Sequence, residues 1–277
     1  MENGKKNNLK SEKNWSLAVV QDDLISHCKE VLVKIKIIVP ITLESFRENA
    51  EIEYKTFLKK GSMFSDLEFD VGILERGEGP VTIESEYDGA FADRGSVLLT
   101  EKAEKDGYDG VVIDCFCDAG YHPAREAVDI PVVGAFETSI RFAQLLGNNI
   151  SIVTMKDTFI PRIWRMARGM NAADSIVSVS SLDIEVASLT EFKSIVVERL
   201  VAQFEAAILK NGADVLILGC TGMMGVAEKV QNILIEKGYN VPVVNPAETC
   251  LRFMECILVM GLKQSEIAYP TNKRKKR

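Results

Sequence analysis

The stretch Gly107-Tyr-Asp-Gly-Val-Val-Ile-Asp-Cys115 recurs later in the chain as Gly212-Ala-Asp-Val-Leu-Ile-Leu-Gly-Cys220. In both copies a glycine and an aspartate precede an apolar run, and a cysteine follows it. A short, continuous apolar run of this kind is typical of a strand that is buried on both faces of a parallel sheet. The repeat therefore predicts two equivalent buried strands, each of which ends at a thiol.

The duplication continues downstream of both cysteines. There, Ile130-Pro-Val-Val-Gly-Ala-Phe-Glu-Thr-Ser-Ile-Arg-Phe142 matches Val241-Pro-Val-Val-Asn-Pro-Ala-Glu-Thr-Cys-Leu-Arg-Phe253. Two similar α/β halves in one chain usually pack about a pseudo-two-fold axis, so that equivalent strand ends face each other. We therefore expect Cys115 and Cys220 to face each other across a cleft.

Strand-like and helix-like segments alternate along the chain from Lys34 onwards. The clearest helical pattern covers residues 191–210, where one apolar stripe contains Phe192, Ile195, Val196, Leu200, Phe204 and Ile208. Such alternation predicts an α/β fold with mainly parallel sheets and helices on both faces. In folds of this class, ligands bind at the carboxyl ends of the strands, which is where both cysteines are expected.

The sequence divides into an N-terminal extension, two subdomains and a basic tail. The extension covers residues 1–33 and is expected to be partly disordered, and the tail covers residues 271–277. The closing helix is expected to return to the first half. The first α/β subdomain would then comprise residues 34–135 plus 246–270, and the second would comprise residues 136–245.

The composition is that of an ordinary globular protein, with 277 residues of which 47% are hydrophobic and 26% are charged. The net charge is -7 although the last five residues are all basic, so the body of the chain is distinctly acidic. This acidity disfavours nucleic acid as a partner. Without a membrane-length apolar run or a secretory signal, we expect a cytoplasmic protein with no membrane partner and with reduced thiols.

A pair of facing thiols has a specific chemical use. A cysteine between a strand end and a helix N-terminus is expected to have a lowered pKa, because backbone amides and the helix dipole favour the thiolate. One thiolate can remove a proton from a bound carbon while the opposite thiol delivers one to the other face, which inverts the centre. Backbone amides and the Thr221-Gly222 segment are expected to stabilise the oxygen that gains charge.

Three residues near this cleft each have two interpretations. Thr42 is either the N-cap of the first helix or a hydroxyl that points into the cleft. Glu137 either favours the dipole at a helix start or contacts the pocket. Cys117 could form a redox or metal-binding pair with Cys115, but the chain has only two histidines and no other clustered cysteine pair. We therefore expect no metal site.

Four motifs together resemble the aspartate/glutamate/hydantoin racemase superfamily, and most closely its hydantoin and allantoin racemase branch. The resemblance covers roughly residues 34–270. Its motifs are Gly79-Pro-Val-Thr-Ile-Glu-Ser-Glu-Tyr-Asp88, Cys115-Phe-Cys-Asp-Ala-Gly120, Gly219-Cys-Thr-Gly-Met223, and Gly261-Leu-Lys together with Ala268-Tyr-Pro270. Two segments depart from the family pattern, namely Asp118-Ala-Gly120 in place of Asp-Pro-Gly and Val39-Pro-Ile-Thr42 in place of Asn-Pro-Asn-Thr.

The resemblance implies two pseudo-symmetric, flavodoxin-like subdomains with the active site in the cleft between them. It also implies that Cys115 and Cys220 are catalytic and that no cofactor is used. We expect a small-molecule substrate, most simply a 5-substituted hydantoin or allantoin, and a homo-oligomer. The predicted substrate-binding residues are Pro40, Thr42, Ser85, Phe116, Asp118, Glu137, Thr221 and Gly222.

Three rival functions remain open at this point. An acidic amino-acid racemase would use the same thiol pair but should offer more polar donors for a free carboxylate. An arylmalonate-type decarboxylase resembles this fold but needs a single essential thiol, so the presence of both cysteines disfavours it. A protein of the same fold that only binds a small ligand would bind without proton exchange.

Overall fold

The computed structural model describes residues 32–189 and 191–270, so the basic tail and all but the end of the N-terminal extension lie outside the described residues. Two four-stranded parallel sheets form the framework. The first sheet contains β1 (Val33–Val39), β2 (Leu67–Ile73), β3 (Gly110–Ile113) and β4 (Val132–Gly134). The second contains β5 (Ile150–Thr154), β6 (Ile176–Ser181), β7 (Val215–Leu218) and β8 (Val243–Val244).

Helices connect these strands and cover the sheets. They are α1 (Glu44–Lys60), α2 (Glu86–Lys105), α3 (Tyr121–Ala127), α4 (Ala135–Leu146), α5 (Ile160–Gly169), α6 (Lys193–Asn211), α7 (Ala227–Glu236) and α8 (Pro246–Val259). Single 3-10 turns lie at Asp157–Phe159, Ala173–Ser175 and Val186–Ser188. Within the part of the chain that is described, no helix is long and apolar enough to cross a lipid bilayer.

The strand orders confirm the predicted α/β architecture and its internal duplication. The first sheet has the order β2-β1-β3-β4, and the second has the equivalent order β6-β5-β7-β8. All residues of the repeated strands β3 and β7 are buried, as their continuous apolar sequences require. The two strands that lead to the cysteines thus occupy the same internal position in their respective sheets.

The two halves exchange a helix. The helix α4 follows β4 of the first sheet but packs against β7 of the second, whereas α8 follows β8 and packs against β3 and β4. The helices α4 and α8 also pack against each other, with the rings of Phe142 and Phe253 in edge-to-face contact at 6.2 Å. These phenylalanines are the last residues of the matched segments in the repeat, so equivalent positions meet at the pseudo-two-fold axis.

We propose the same domain division as the sequence predicts, and the helix exchange supports it. Assigning residues 246–270 to the first subdomain keeps α8 with the sheet that it covers. Beyond α8, Gln264 accepts a hydrogen bond from the N–H of Val132 and donates to the carbonyl oxygen of Ile130 at 2.8 Å. Assigning residues 136–245 to the second subdomain likewise keeps α4 with β7.

A buried carboxyl group joins α1 of the first half to loops of the second half. The Oε1 atom of Glu53 accepts hydrogen bonds from the N–H of Gly225 at 3.2 Å and from Nδ2 of Asn245 at 3.3 Å. Burial raises the pKa of Glu53 to about 7, although both hydrogen bonds oppose the shift. The carboxyl group therefore helps to position the second half at the cost of being difficult to ionise.

The N-caps of α1 and α2 are Leu43 and Ser85. Ser85 caps α2, because its hydroxyl accepts a hydrogen bond from the N–H of Asp88. The N-cap of α1 is Leu43 rather than Thr42, and Leu43 makes no side-chain cap. The N-cap interpretation of Thr42 is therefore wrong. Thr42 lies one residue before the N-cap, and its backbone N–H donates to the carbonyl oxygen of Pro80 in a neighbouring loop.

The predicted apolar stripe of α6 is only partly correct. Val196, Leu200 and Phe204 are buried against the second sheet, as the helical spacing indicates. Phe192 and Ile195 are exposed. Phe192 is the N-cap and lies outside the regular helix, and Ile195 lies beside the row of buried residues rather than on it.

We expect Phe204→Ala to lower the free energy of unfolding by about 3–5 kcal/mol, because the ring is fully buried and its removal leaves a cavity. Leu209→Ala in the same helix is the matched control, since 66% of that side chain is exposed. Urea titration measures both effects. Equal destabilisation by the two substitutions would contradict the packing of α6 described above.

Candidate functional site

Both repeated cysteines line a single pocket at the carboxyl ends of the strands. Cys115 lies two residues beyond β3, and Cys220 lies two residues beyond β7. The structure brings four of the predicted binding residues to the same pocket, namely Pro40, Phe116, Thr221 and Gly222. The pocket contains about 550 Å³ of space free of protein atoms, part of it open to solvent.

Equivalent backbone hydrogen bonds extend both strands towards the cysteines. The N–H of Asp114 donates to the carbonyl oxygen of Ile38, and the N–H of Gly219 donates to that of Val153, each at 2.8 Å. A side chain at Gly219 would place its Cβ only 2.7 Å from the Val153 oxygen, so glycine is required there. Each cysteine is therefore the first residue after the parallel hydrogen-bond ladder ends.

The two cysteine loops are tied to each other at Thr221. Its buried hydroxyl donates a hydrogen bond to the carbonyl oxygen of Asp114 at 3.2 Å, which links the loop after β7 to the residue before Cys115. The proton of the Thr221 hydroxyl is therefore already used in a hydrogen bond within the protein and is not available to a ligand in the pocket. At the next position, a Cβ on Gly222 would lie 2.7 Å from the ring of Phe46, so only glycine leaves the pocket open there.

The pKa of the Cys220 thiol is raised to about 12, mainly because burial disfavours the charged form. A hydrogen bond from the N–H of Gly222 opposes this shift but does not outweigh it. Nearby Cys115, Asp114 and Glu84 raise the pKa further. The expectation of a lowered thiol pKa is thus wrong for Cys220. Burial in the pocket removes the water that would stabilise the thiolate, and one backbone amide does not replace that stabilisation.

Cys115 is in contact with a second thiol from its own loop. Its Sγ atom lies 3.3 Å from the Sγ atom of Cys117, within hydrogen-bonding distance for sulfur. Cys117 is buried, and its pKa is raised well above the ordinary value by the hydrogen bond with Cys115 and by burial. Among the residues that the structure describes, no group of three or more histidine, cysteine or acidic side chains could hold a metal ion.

The rest of the pocket lining is mainly apolar, with few charged groups. Asp114 is buried behind the cysteines, and burial raises its pKa to about 7. Glu84 accepts a hydrogen bond from the N–H of Val186 at 2.7 Å, and its carbonyl oxygen accepts one from the Thr158 hydroxyl at 2.6 Å. Lys156 is bound to the carboxylate of Asp183 at 2.8 Å.

Thr42 and Ser85 are not among the residues that line this pocket. The Ser85 hydroxyl is used to cap α2 and also donates to Asp88 at 2.7 Å. Its neighbour Glu84 lines the pocket instead. The one-residue difference arises because the cap turns the side chain of Ser85 towards its own helix.

Asp118 and Glu137 lie on the other side of the Cys115–Gly120 turn. Both carboxylate oxygens of Asp118 accept backbone N–H bonds at the start of α4, from Phe136 at 2.8 Å and from Glu137 at 2.9 Å. Asp118 and Glu137 line a second cavity, which Cys117 also borders. Asp118 therefore anchors α4 behind the thiol turn, and its pKa is raised to about 7 by burial.

Several lining residues escaped the sequence prediction. They are Val39, Ile41, Phe46, Ile83, Glu84, Asp114, Thr154, Met155, Lys156, Phe159, Val186 and Gly219, with Cys117 bordering the site. The internal repeat could have identified some of them. Val39–Ile41 begins at the last residue of β1, and Thr154–Lys156 begins at the last residue of β5, which is the equivalent position.

Comparison with known proteins gives matches over most of the chain. The family model for Asp/Glu/Hydantoin racemase matches residues 67–254. A hydantoin racemase from Pseudomonas sp. (strain NS671) is 29% identical over 248 residues, which cover 87% of this chain and 93% of that protein. A hydantoin racemase from Paenarthrobacter aurescens is 28% identical over 197 residues, which cover 71% and 81% of the two chains.

A solved structure confirms the arrangement of the two sheets. The allantoin racemase from Klebsiella pneumoniae superposes with a TM-score of 0.80 and 23% sequence identity, covering 88% of this chain and 96% of that chain. At this level of identity the likeness concerns the fold alone. It agrees with the predicted pair of similar α/β subdomains.

The raised pKa of Asp114 makes stability depend on pH. A carboxyl group whose pKa is raised from 3.8 to about 7 on folding contributes stability below pH 4 that is lost as the pH rises towards 7. Asparagine cannot ionise, so the Asp114→Asn variant does not lose this stability as the pH rises. We therefore expect the stability of the variant relative to wild type to increase by a few kcal/mol, about 1.4 per pKa unit, between about pH 4 and about pH 8.

Urea titrations at the two pH values measure this change. Other buried carboxyl groups are common to both proteins, so their contributions largely cancel in the difference. The exception is Glu53, because the charge of Asp114 helps to raise its pKa, and Asp114→Asn removes that contribution in the same direction. The exposed Asp174 is the matched position, and Asp174→Asn tests for a general charge effect. A relative stability of Asp114→Asn that does not change with pH would contradict the buried position of the Asp114 carboxyl group.

Proposed function

The chain belongs to the Asp/Glu/hydantoin racemase family, and from this premise we propose that it racemises a 5-substituted hydantoin or allantoin by two-thiol proton transfer. It is a racemase and hence an isomerase. The observation that carries the proposal is the convergence of Cys115 and Cys220, from equivalent strands of the two halves, on one small and mainly apolar pocket. Proteins of similar sequence are hydantoin racemases, which supports the same substrate class.

In the proposed reaction, the thiolate of one cysteine removes the proton from the ring carbon that bears the substituent. The electron pair of the C–H bond moves onto the adjacent carbonyl, whose oxygen gains negative charge. The thiol of the other cysteine then donates its proton to the opposite face of the carbon. One proton enters and one leaves, so the substrate is inverted and the two sulfurs exchange protonation states.

The charges around the pocket favour a neutral ring over an acidic amino acid. Within the described residues, Lys156 is the cation that lines the pocket, and it is already paired with Asp183. The carboxylate of Glu84 would repel a substrate carboxylate. A hydantoin or allantoin ring has no carboxylate, and its N–H groups can donate to an acceptor such as Glu84.

The oxygen that gains charge needs donors other than the Thr221 hydroxyl, which is bound to the Asp114 carbonyl oxygen. Backbone N–H groups of the two cysteine loops are the donors we propose. The amide of Gly222 already interacts with the Cys220 sulfur, which supports an orientation towards the reacting carbon. In this proposal Pro40 and Phe116 shape the pocket, and Thr221 positions the loop.

The remaining predicted residues have supporting positions in this proposal. Ser85 fixes the segment that carries Glu84, and Asp118 fixes the turn that carries Cys115. Glu137 and Thr42 have no proposed contact with the substrate. The enzyme is proposed to act without a cofactor on a small-molecule substrate, and as a homo-oligomer in the cytoplasm.

A substrate panel in heavy water tests the function. Single enantiomers of 5-substituted hydantoins, allantoin, aspartate and glutamate are incubated with the protein, and optical rotation and deuterium uptake are followed together. We expect a cyclic ureide to lose its rotation while deuterium enters at the ring carbon. A sample without protein measures spontaneous racemisation. Turnover of aspartate or glutamate would contradict the proposed substrate class, and binding without any exchange would indicate a non-catalytic protein.

Replacement of each cysteine tests the two-thiol mechanism. We expect Cys115→Ser and Cys220→Ser each to lower the rate of racemisation by about 10²–10⁴-fold, because a serine hydroxyl is a far weaker acid and base than a thiol. Each variant should retain deuterium exchange on one enantiomer, and the two variants should prefer opposite enantiomers. Cys256→Ser, which changes an exposed thiol outside the pocket, is the control. Near-normal racemisation by either pocket variant would rule out the mechanism.

A further inference from the structure

Cys117 borders the pocket, and its sulfur is in contact with the sulfur of Cys115. We propose that Cys117 is a positioning residue whose S–H donates a hydrogen bond to the sulfur of Cys115 and thereby makes Cys115 the thiolate of the resting enzyme. This inference rests on the proposed two-thiol function and adds which cysteine is the base and which is the acid in the free enzyme. Cys220 is then the proton donor when the free enzyme first meets its substrate.

The geometry favours donation from Cys117 to Cys115 rather than the reverse. The two Sγ atoms are 3.3 Å apart, so one thiol proton can lie between them. Cys117 is 1% exposed, whereas Cys115 is partly exposed to the pocket. The pKa of Cys117 is raised well above its ordinary value by the hydrogen bond with Cys115 and by burial. The proton therefore stays on Cys117, and the negative charge is favoured on Cys115.

Cys220 differs from Cys115 in this respect. Its sulfur interacts with the backbone N–H of Gly222, and burial outweighs that interaction, so the pKa of Cys220 is about 12. The repeat gives Cys220 no thiol partner, because the residue equivalent to Cys117 is Gly222. The internal duplication thus produces two similar strand ends with unequal hydrogen-bond donors, and this inequality distinguishes the resting base from the resting acid.

Other charged groups around the thiol pair do not remove this asymmetry. Arg162 of α5 donates from Nη2 to the carbonyl oxygen of Cys117 at 3.1 Å, and its charge favours a nearby thiolate. Asp118 has the opposite effect on Cys117. The pocket also places Asp114, Glu84, Lys156 and Cys220 near the pair, and the second cavity adds Asp93, His122, Glu137 and Arg141. All of them are unchanged when only Cys117 is replaced.

The proton movements follow from this arrangement. The Cys115 thiolate takes the proton from the enantiomer whose C–H bond faces it, and Cys220 gives its proton to the opposite face. Cys115 is then neutral and Cys220 carries the charge, so the hydrogen bond from Cys117 is weakened in this second form. The enzyme returns to the resting form either by reaction with the opposite enantiomer or by proton exchange with water.

The test measures the reactivity of Cys115 directly. Wild type, Cys117→Ala and Cys117→Ser are treated with iodoacetamide across a range of pH, and alkylation of Cys115 is quantified by peptide mass spectrometry. Because a hydrogen bond to a charged group is lost, we expect the midpoint of Cys115 alkylation to rise by about one to two pH units in Cys117→Ala. Serine can still donate, so its midpoint should lie closer to that of wild type.

The pH dependence of racemisation provides a second readout. The acid limb of kcat/KM should move upward in Cys117→Ala and be largely restored in Cys117→Ser. Cys256→Ala, which removes the exposed thiol of α8, should leave both profiles unchanged. Should alanine prevent folding, Cys117→Val fills more of the space and replaces it in the same comparison.

Two results would overturn the inference. One is an unchanged Cys115 midpoint in Cys117→Ala, and the other is an equal shift in the alanine and serine variants, which would mean that packing rather than hydrogen-bond donation controls Cys115. The alkylation measurement does not require racemase activity. A protein that shows the predicted shift but racemises no cyclic ureide would contradict the proposed function and leave the role of Cys117 standing, so the two failures are distinguishable.

Discussion

The packing of α4 against α8 is the interaction on which the position of the site depends. Each of these helices covers the sheet of the other half, so neither sheet can shift relative to the other without uncovering apolar surface. The edge-to-face contact of Phe142 and Phe253 marks the axis that relates the halves. Because this axis also relates β3 to β7, it brings the strand ends with Cys115 and Cys220 to one pocket.

Closure of the pocket has opposite effects on the proposed chemistry. An apolar, enclosed site strengthens every hydrogen bond and charge interaction made within it. The same enclosure makes a thiolate costly, as the raised pKa of Cys220 demonstrates. A site of this kind needs local donors that compensate for lost water. The N–H of Gly222 is such a donor to Cys220, and the S–H of Cys117 is the donor that we propose for Cys115.

Much of the fold could be predicted because the repeat and the alternation of strands and helices are local patterns. The pocket lining was predictable where a residue lies one or two positions beyond a buried strand, as Pro40, Cys115 and Cys220 do. It was not predictable in the loops, where no periodicity determines which side chain faces inward, so that Glu84 rather than Ser85 lines the pocket. The shift at Cys220 depends on how the two halves close, which is not a local property of sequence.

The carboxyl groups of Glu53, Asp114 and Asp118, whose pKa values burial raises to about 7, also alter the charge of the whole folded protein. The sequence alone gives an isoelectric point of about 5.2, a value that treats these groups as ordinary acids. With pKa values of about 7, all three are mainly protonated at that pH in the folded protein. The folded protein therefore carries less negative charge at this pH than its composition implies. Its isoelectric point is higher than that of the unfolded chain, and isoelectric focusing separates the two states.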